Sequence, residues 1–285
     1  MSQQAEIRRV GIVTKRASRE AARVASDLVD WLDRHGIEVA VDRPSGEEGT
    51  KVAIYDPSAS YDLIVALGGD GTLMSVARAR QKEVPILGVN LGSLGFLTEI
   101  SRTELYPSLT EILAGRFETE SRSLFDVTLE RAEGEVLSFR ALNDVVITKS
   151  ALARIIDLRI EVDGQLVARY RSDGLIIATP TGSTAYNLSA GGPIAYPSLP
   201  VALLTPICPH TLSHRPLVVP DSSLIEITLE TRHEEVYLTL DGQEGMALEY
   251  SDRVRVRSSP HKAHLVRISG RSFYDSLRSK LRWGS

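Results

Sequence analysis

The sequence holds a single cysteine, Cys208, so no disulfide can form within the chain, and a reducing compartment fits that usage. With no sequence sign of a nucleophile's partner, Cys208 reads as a small buried residue. Long apolar runs are missing as well: none approaches the roughly 20 residues that span a bilayer. The first residues lack the apolar core of a secretion signal. An excess of one charge is also lacking. The 33 basic and 37 acidic residues leave a net charge of -4, which exerts no global pull on nucleic acid or an anionic membrane. The expectation is a soluble cytoplasmic protein with no nucleic-acid and no membrane partner, in which any anionic ligand is held by local charge. Low-complexity tracts and internal repeats are absent. So are the G-x-S-x-G elbow and the Walker lysine motif.

What is present is enough for a packed core: 285 residues, 42% of them hydrophobic, suit one large domain or two smaller ones. The first third alternates strand and helix signals. Val10-Gly11-Ile12-Val13 reads as a strand, and residues 18–35 as an amphipathic helix closed by Gly36. Strands follow at 37–41, 63–67 and 85–89, with helices after the second of these, through Arg80, and at 104–115. Such alternation predicts a parallel sheet covered on both faces. From Arg122 to about Ile268 the signals are mostly strands, with Asp163-Gly164 and Asp241-Gly242 as hairpin turns. The last stretch, 273–281, returns to helical spacing and could pack back on the first domain. The fold class expected is therefore an α/β Rossmann-like N-terminal domain (1–121), an all-β sandwich-like C-terminal domain (122–269) and a closing helix in 270–285. Residues 43–59, rich in Gly, Ser, Pro and Glu, are the candidate for a mobile loop or lid.

The densest signal is Gly68-Gly69-Asp70-Gly71-Thr72 at the end of the strand Leu63-Ile64-Val65-Ala66-Leu67. A strand that breaks into glycines exposes backbone N–H groups where a helix begins, an arrangement that holds phosphate. An acid has no place in a simple phosphate cradle. Asp70 beside phosphate points instead to proton removal from a hydroxyl, or to a hold on a metal ion, during phosphoryl transfer. The competing readings are a plain strand-to-helix turn and a helix N-cap. A second strand-end glycine cluster, 88–99, lacks the G-x-G-x-x-G spacing and presents Phe96, either to stack on a base or to plug the core. Asn143-Asp144 interrupts an apolar run. The pair suits vicinal ribose hydroxyls, through a bulge, or else marks a turn between short strands. From Asp173 to Pro193, small and hydroxylated residues crowd around Tyr186, allowing close backbone approach to a polar ligand. His210 and His214 stand four apart among prolines with no further ligand cluster, which favours a structural role over a metal pair.

Taken in order, Gly68-Gly69-Asp70-Gly71-Thr72, Leu142-Asn143-Asp144, the run from Asp173-Gly174-Leu175 to Ser183-Thr184-Ala185-Tyr186, and Pro209-His210-Thr211-Leu212-Ser213-His214-Arg215-Pro216 resemble the NAD kinases over nearly the whole chain, in a compact bacterial style. The glycine motif alone is shared with diacylglycerol and sphingosine kinases and resembled in phosphofructokinases. The Asp173-to-Tyr186 segment is far more specific.

The resemblance implies ATP-dependent phosphorylation of the adenosine ribose 2′-hydroxyl of NAD, with a divalent metal, Mg²⁺, carried by the nucleotide. It also implies a homodimer or homotetramer. Asp70 takes the place of the proton acceptor, with Gly68, Gly69, Gly71, Thr72 and Phe96 around the same ligands. Asn143 and Asp144 are the dinucleotide-contacting pair, and Asp144 stands where glutamate is often found. Arg154, Arg171, Asp173, Thr184, Ala185, Tyr186, Asn187, Leu188, Ser189 and Gln243 fall at further substrate positions, and Arg171 resembles members that prefer NAD to NADH. No residue is expected to hold a metal by itself. The alternatives are a lipid kinase of the same superfamily and a non-catalytic dinucleotide-binding regulator.

Overall fold

The structure, a computed structural model, describes residues 6–42, 52–79, 82–92, 95–98, 100–211, 213–267, 270 and 272–281. Residues 43–51 of the expected loop, Arg80 at the expected helix end, Ser93, Leu94 and Glu99 of the second glycine cluster, and Leu212 lie outside the described residues. Two compact units form, one from 1–121 with 263–285 and one from 122–262.

The first unit contains β1 (Arg9–Thr14), α1 (Arg19–Arg34), β2 (Glu38–Val41), β3 (Ala53–Ile54), β4 (Leu63–Gly68), α2 (Asp70–Ala79), β5 (Pro85–Asn90), β6 (Ile100–Ser101) and α3 (Leu105–Leu113). Ser18 caps α1 by accepting from the Ala21 N–H, and Gly36 leaves it at φ +73°. Strands β5, β4, β1, β2 and β3 lie side by side and all parallel. Residues 263–267 extend this sheet, with His264 opposite Pro85 and Leu265 opposite Ile86. Strand β4 is buried along its whole length, as a central parallel strand covered on both faces must be. Val24, Ala25, Leu28 and Leu32 of α1, and Leu105, Leu109 and Ile112 of α3, pack with Ile12, Leu63, Val65, Leu67 and Leu87 in one core. The stretch expected to be a loop corrects itself in part: Ala53 and Ile54 pair with Ala40 and Val41, and Tyr55 stacks on Tyr61 at 5.2 Å.

The second unit is built from β7 (Glu118–Glu130), β8 (Val136–Ala141), β9 (Asp144–Lys149), β10 (Ile156–Val162), β11 (Gln165–Ser172), β12 (Gly174–Ala178), α4 (Tyr186–Ser189), β13 (Val201–Ile207), β14 (Leu217–Pro220), β15 (Ile225–Leu229), β16 (Val236–Leu240), β17 (Glu244–Leu248) and β18 (Arg253–Arg267), the start of β7 up to Ser121 and the end of β18 from Ala263 belonging with the first unit. One layer runs β11-β10-β15-β18 and the other β14-β13-β12-β9-β16-β17, antiparallel throughout. Val145, Ile147, Leu175 and Ile177 face Leu158, Ile160, Ile225 and Ile227 in a shared core. The alternate residues Val146, Ile176 and Ala178 turn to the other side, where Ala195, Leu203 and Ile207 cover them. This is why β12 reads as an unbroken apolar run. Helix α5 (Phe273–Leu281) closes the chain, with Leu277 buried. The observed fold is the class the sequence predicted: an α/β part, a β-rich sandwich-like part and a final helix. One expectation fails. Cys208 is exposed and sits at φ +44°, because β13 ends one residue earlier and the chain must turn before Pro209.

Candidate active site

The glycine motif forms as its sequence demands. Strand β4 ends at Gly68 and α2 begins at Asp70. A Cβ on Gly68 would lie 2.3 Å from the Thr72 hydroxyl oxygen, so only glycine lets the strand end pass the first turn of the helix. Gly69 faces open space. Gly71 and Thr72 lie half-buried in that first turn.

The Asp70 carboxylate is tightly bound. Its Oδ2 accepts from the Phe96 N–H at 2.8 Å. Its Oδ1 accepts from the Leu97 N–H at 3.2 Å, the Thr98 N–H at 3.0 Å and the Thr98 hydroxyl at 2.9 Å. A Cβ on Gly95 would sit 1.9 Å from Oδ1, so the backbone at that point passes directly over the acid. Thr98 is fully buried and its hydroxyl oxygen accepts from Asn90 Nδ2 at 2.9 Å. Asn90 Oδ1 in turn accepts from the Gly92 N–H at 2.7 Å. The Phe96 ring does not plug the core; the residue is half-buried, and its backbone joins it to Asp70.

In the second unit a different acid organises the chain. Asp241 lies in the turn between β16 and β17, where Asp241 and Gly242 both take positive φ, +51° and +64°. Its buried carboxylate accepts from the Leu142, Asn143 and Asp144 N–H groups at 2.7 to 3.1 Å. Those amides belong to the bend between β8 and β9, so Asn143 and Asp144 mark a turn between strands and no bulge is needed. The Thr179 N–H donates to the Asn143 carbonyl and its hydroxyl to the Leu142 carbonyl, fastening the end of β12 to the same bend. Gly182 packs so closely that a Cβ would stand 2.1 Å from the Asn143 carbonyl oxygen. Two buried polar atoms around this point find no hydrogen-bond partner, Asn143 Oδ1 and Thr181 Oγ1.

Asp144 is 4% exposed and shares a strand face with Val146. Burial, and after it the negative Asp241 carboxylate, push its carboxyl up to about 7. An acid so placed can hold or release a proton near neutrality.

The remaining expected residues separate into groups. Asn187 is fully buried: Nδ2 donates to the Ser183 and Pro193 carbonyls, and Oδ1 accepts from the Thr205 hydroxyl at 2.6 Å. Its amide is committed to the fold, and Gly192 closes over it with no room for a Cβ. Thr184, Ala185 and Leu188 are half-buried around it, while Tyr186 and Ser189 are exposed. Asp173 lies 3.7 Å from the Lys149 ammonium. Arg171 is exposed, opposite Asp157 across β10 and β11. Gln243 is exposed in the same turn as Asp241. Arg154 is exposed and only its backbone is anchored, donating to Glu234. Sequence reasoning gave no place in the site to Asn90, Thr98, Thr179, Gly182 or Asp241, the last of which it read only as part of a hairpin turn. Their signal was present, since all but Asp241 fall inside the glycine and threonine clusters, but a turn motif does not reveal which amides its acid will bind.

Comparison with known proteins sharpens the picture. The ATP-NAD kinase N-terminal domain family matches residues 10–117 and the ATP-NAD kinase C-terminal domain family residues 142–268. The NAD kinase of Geobacter sulfurreducens is 48% identical over 284 residues, covering 98% of this chain and 99% of that one. The NAD kinase of Solibacter usitatus is 48% identical over 282 residues, covering 98% of both. Among solved structures, yeast NADH kinase complexed with NADH superposes with a TM-score of 0.89 at 26% identity, covering 99% of this chain and 89% of that chain. An NAD kinase from Archaeoglobus fulgidus in complex with ATP gives 0.73 at 27% identity, covering 96% and 98%.

Proposed function

This chain belongs to the ATP-NAD kinase family, and from that premise we propose that it transfers the γ-phosphoryl group of ATP to the adenosine ribose 2′-hydroxyl of NAD, giving NADP and ADP. The observation that carries the chemistry is Asp70 at the first position of α2, directly after a strand-end glycine pair. In-line transfer needs an aimed hydroxyl, a neutralised phosphate chain and an acceptor for the hydroxyl proton. Asp70 is the acceptor in this scheme, through a carboxylate whose position is set by the backbone of 96–98. The amides of Gly68 to Thr72 hold phosphate oxygens. In the second unit, Asn143 and Asp144 contact the dinucleotide, and the unpartnered Asn143 Oδ1 is ready to accept from a ligand. Thr184 to Ser189, with Arg154, Arg171, Asp173 and Gln243, make the further contacts, the Tyr186 ring packing on the substrate. For Asn187 the contribution is positional, because its amide is already spent on the fold.

No group of three or more His, Cys, Asp or Glu side chains is gathered to hold a metal ion among the described residues. In this reading Mg²⁺ comes with the triphosphate, where it would supply charge neutralisation. No described helix is long and apolar enough to cross a membrane. We place the enzyme in the cytoplasm as a homodimer or homotetramer. Agreement with NAD kinases in both halves of the chain supports this reading over a lipid kinase, and retention of the acid at position 70 supports it over a non-catalytic regulator. Scoring NADP formed from NAD and ATP, with and without Mg²⁺, and with diacylglycerol as the rival acceptor, tests it. Phosphorylated lipid without NADP overturns it.

A further inference from the structure

The two oxygens of Asp70 are unequal. Oδ1 takes three hydrogen bonds, one from a hydroxyl whose own direction is fixed. Because Thr98 Oγ1 accepts from Asn90 Nδ2, its proton must point to Asp70. Asn90 is oriented in turn by the Gly92 N–H at its Oδ1, which leaves the amide nitrogen facing Thr98. The chain Gly92 N–H, Asn90, Thr98, Asp70 therefore runs in one sense only. Asn90 and Thr98 are 5% and 0% exposed, so water does not compete for these bonds. Oδ2 holds a single bond among the described residues, from the Phe96 N–H.

We propose that Asn90 and Thr98 are positioning residues that pin Oδ1 of Asp70 and so present Oδ2 to the acceptor hydroxyl, a role that rests on the NAD kinase reading above. Neither residue touches substrate in this scheme. Both act through the angle of one carboxylate. A displacement of that carboxylate by a fraction of an ångström lengthens the proton transfer without altering how the dinucleotide is held.

The test is steady-state kinetics on the full chain. Thr98→Val keeps the shape and removes the hydroxyl. It should lower kcat about 10- to 100-fold while KM for NAD and for ATP stays within about threefold of wild type. Thr98→Ser restores the hydroxyl and should return kcat to within about threefold. Asn90→Ala should lower kcat less, and adding it to Thr98→Val should lower kcat no further, since the proposed effect of Asn90 on Asp70 passes through Thr98. A Thr98→Val enzyme with wild-type kcat, a Thr98→Ser enzyme as slow as Thr98→Val, or independent losses in the double variant overturns the relay. If Thr98→Val does not fold, Thr98→Ser and Asn90→Ala decide: near-normal kcat in the first and a reduced kcat at unchanged KM in the second support the relay, any other pair overturns it. A wild-type protein that makes no NADP overturns the functional reading itself, whereas an active wild type with indifferent variants overturns the relay alone.

Discussion

Asp70→Asn removes one charge and replaces an acceptor oxygen with an NH₂ donor. The amide has one oxygen for four donors: the N–H groups of Phe96, Leu97 and Thr98 and the Thr98 hydroxyl. The better rotamer puts that oxygen at the Oδ1 position, where three donors converge. The NH₂ group then faces the Phe96 N–H, donor against donor. Hydrogen bonds to a charged group contribute about 1.5–3 kcal/mol each, and leaving a buried donor unpaired costs about 1–3 kcal/mol. These terms overlap, so a destabilisation of about 2–4 kcal/mol is expected for the loop and its unit. At about 2–4 °C per kcal/mol for a unit of this size, melting should fall by roughly 5–15 °C. Turnover should fall much further, about 10²- to 10⁴-fold, because the proton acceptor is gone. The assay pairs thermal unfolding with NADP formation at a temperature well below the variant's transition. A variant that makes NADP at the wild-type rate refutes the base assignment. One that melts with wild type refutes the anchoring role.

The raised Asp144 carboxyl gives a pH signature. Folded, it holds its proton up to about 7, whereas unfolded it releases it near the ordinary carboxylate value of 3.8. Between those limits the native state binds more protons, so its contribution is fully present at acid pH and is lost as pH rises through 7. Asp144→Asn should flatten that slope and raise stability at pH 8 by about 2–4 kcal/mol relative to wild type, read by denaturant unfolding at pH 5 and pH 8. Equal slopes in both proteins would refute it. Gly182→Ala must push its methyl group against the Asn143 carbonyl, 2.1 Å away, so the bend at 142–143 shifts. The expected result is a KM for NAD raised at least about tenfold, with a melting point several degrees lower. Asn187→Ala strands the Thr205 hydroxyl and two carbonyls in the interior. It should cost about 3 kcal/mol or more in urea unfolding, enough to separate a structural residue from a surface contact.

Much of the fold was legible because its signals are local. Ser18 and Gly36 bracket α1 through capping chemistry that acts within a few residues. Asp163-Gly164 forces a two-residue turn between Val162 and Gln165 whatever surrounds it. Alternating burial in β15 follows from period-two geometry alone. Less legible were the features that depend on what arrives from far along the chain. Ala53 and Ile54 sit in a polar, glycine-rich stretch, and they form a strand only because β2 offers an open parallel edge. Cys208 is exposed because β13 stops at Ile207, a limit set by pairing with Gly174.

The candidate site divides along the same line. The motif around Asp70, the Asn143-Asp144 pair and the threonine-rich run declare an acid, an amide and close backbone approach through residue type and spacing. That was enough to place the chain among NAD kinases. Which atoms hold those groups was settled by tertiary contacts: Asp241, nearly a hundred residues on, binds the amides of 142–144, and Thr98 and Asn90 turn the Asp70 carboxylate. A hydrogen bond is decided by distance and direction, and a linear sequence specifies neither until its sheets have closed.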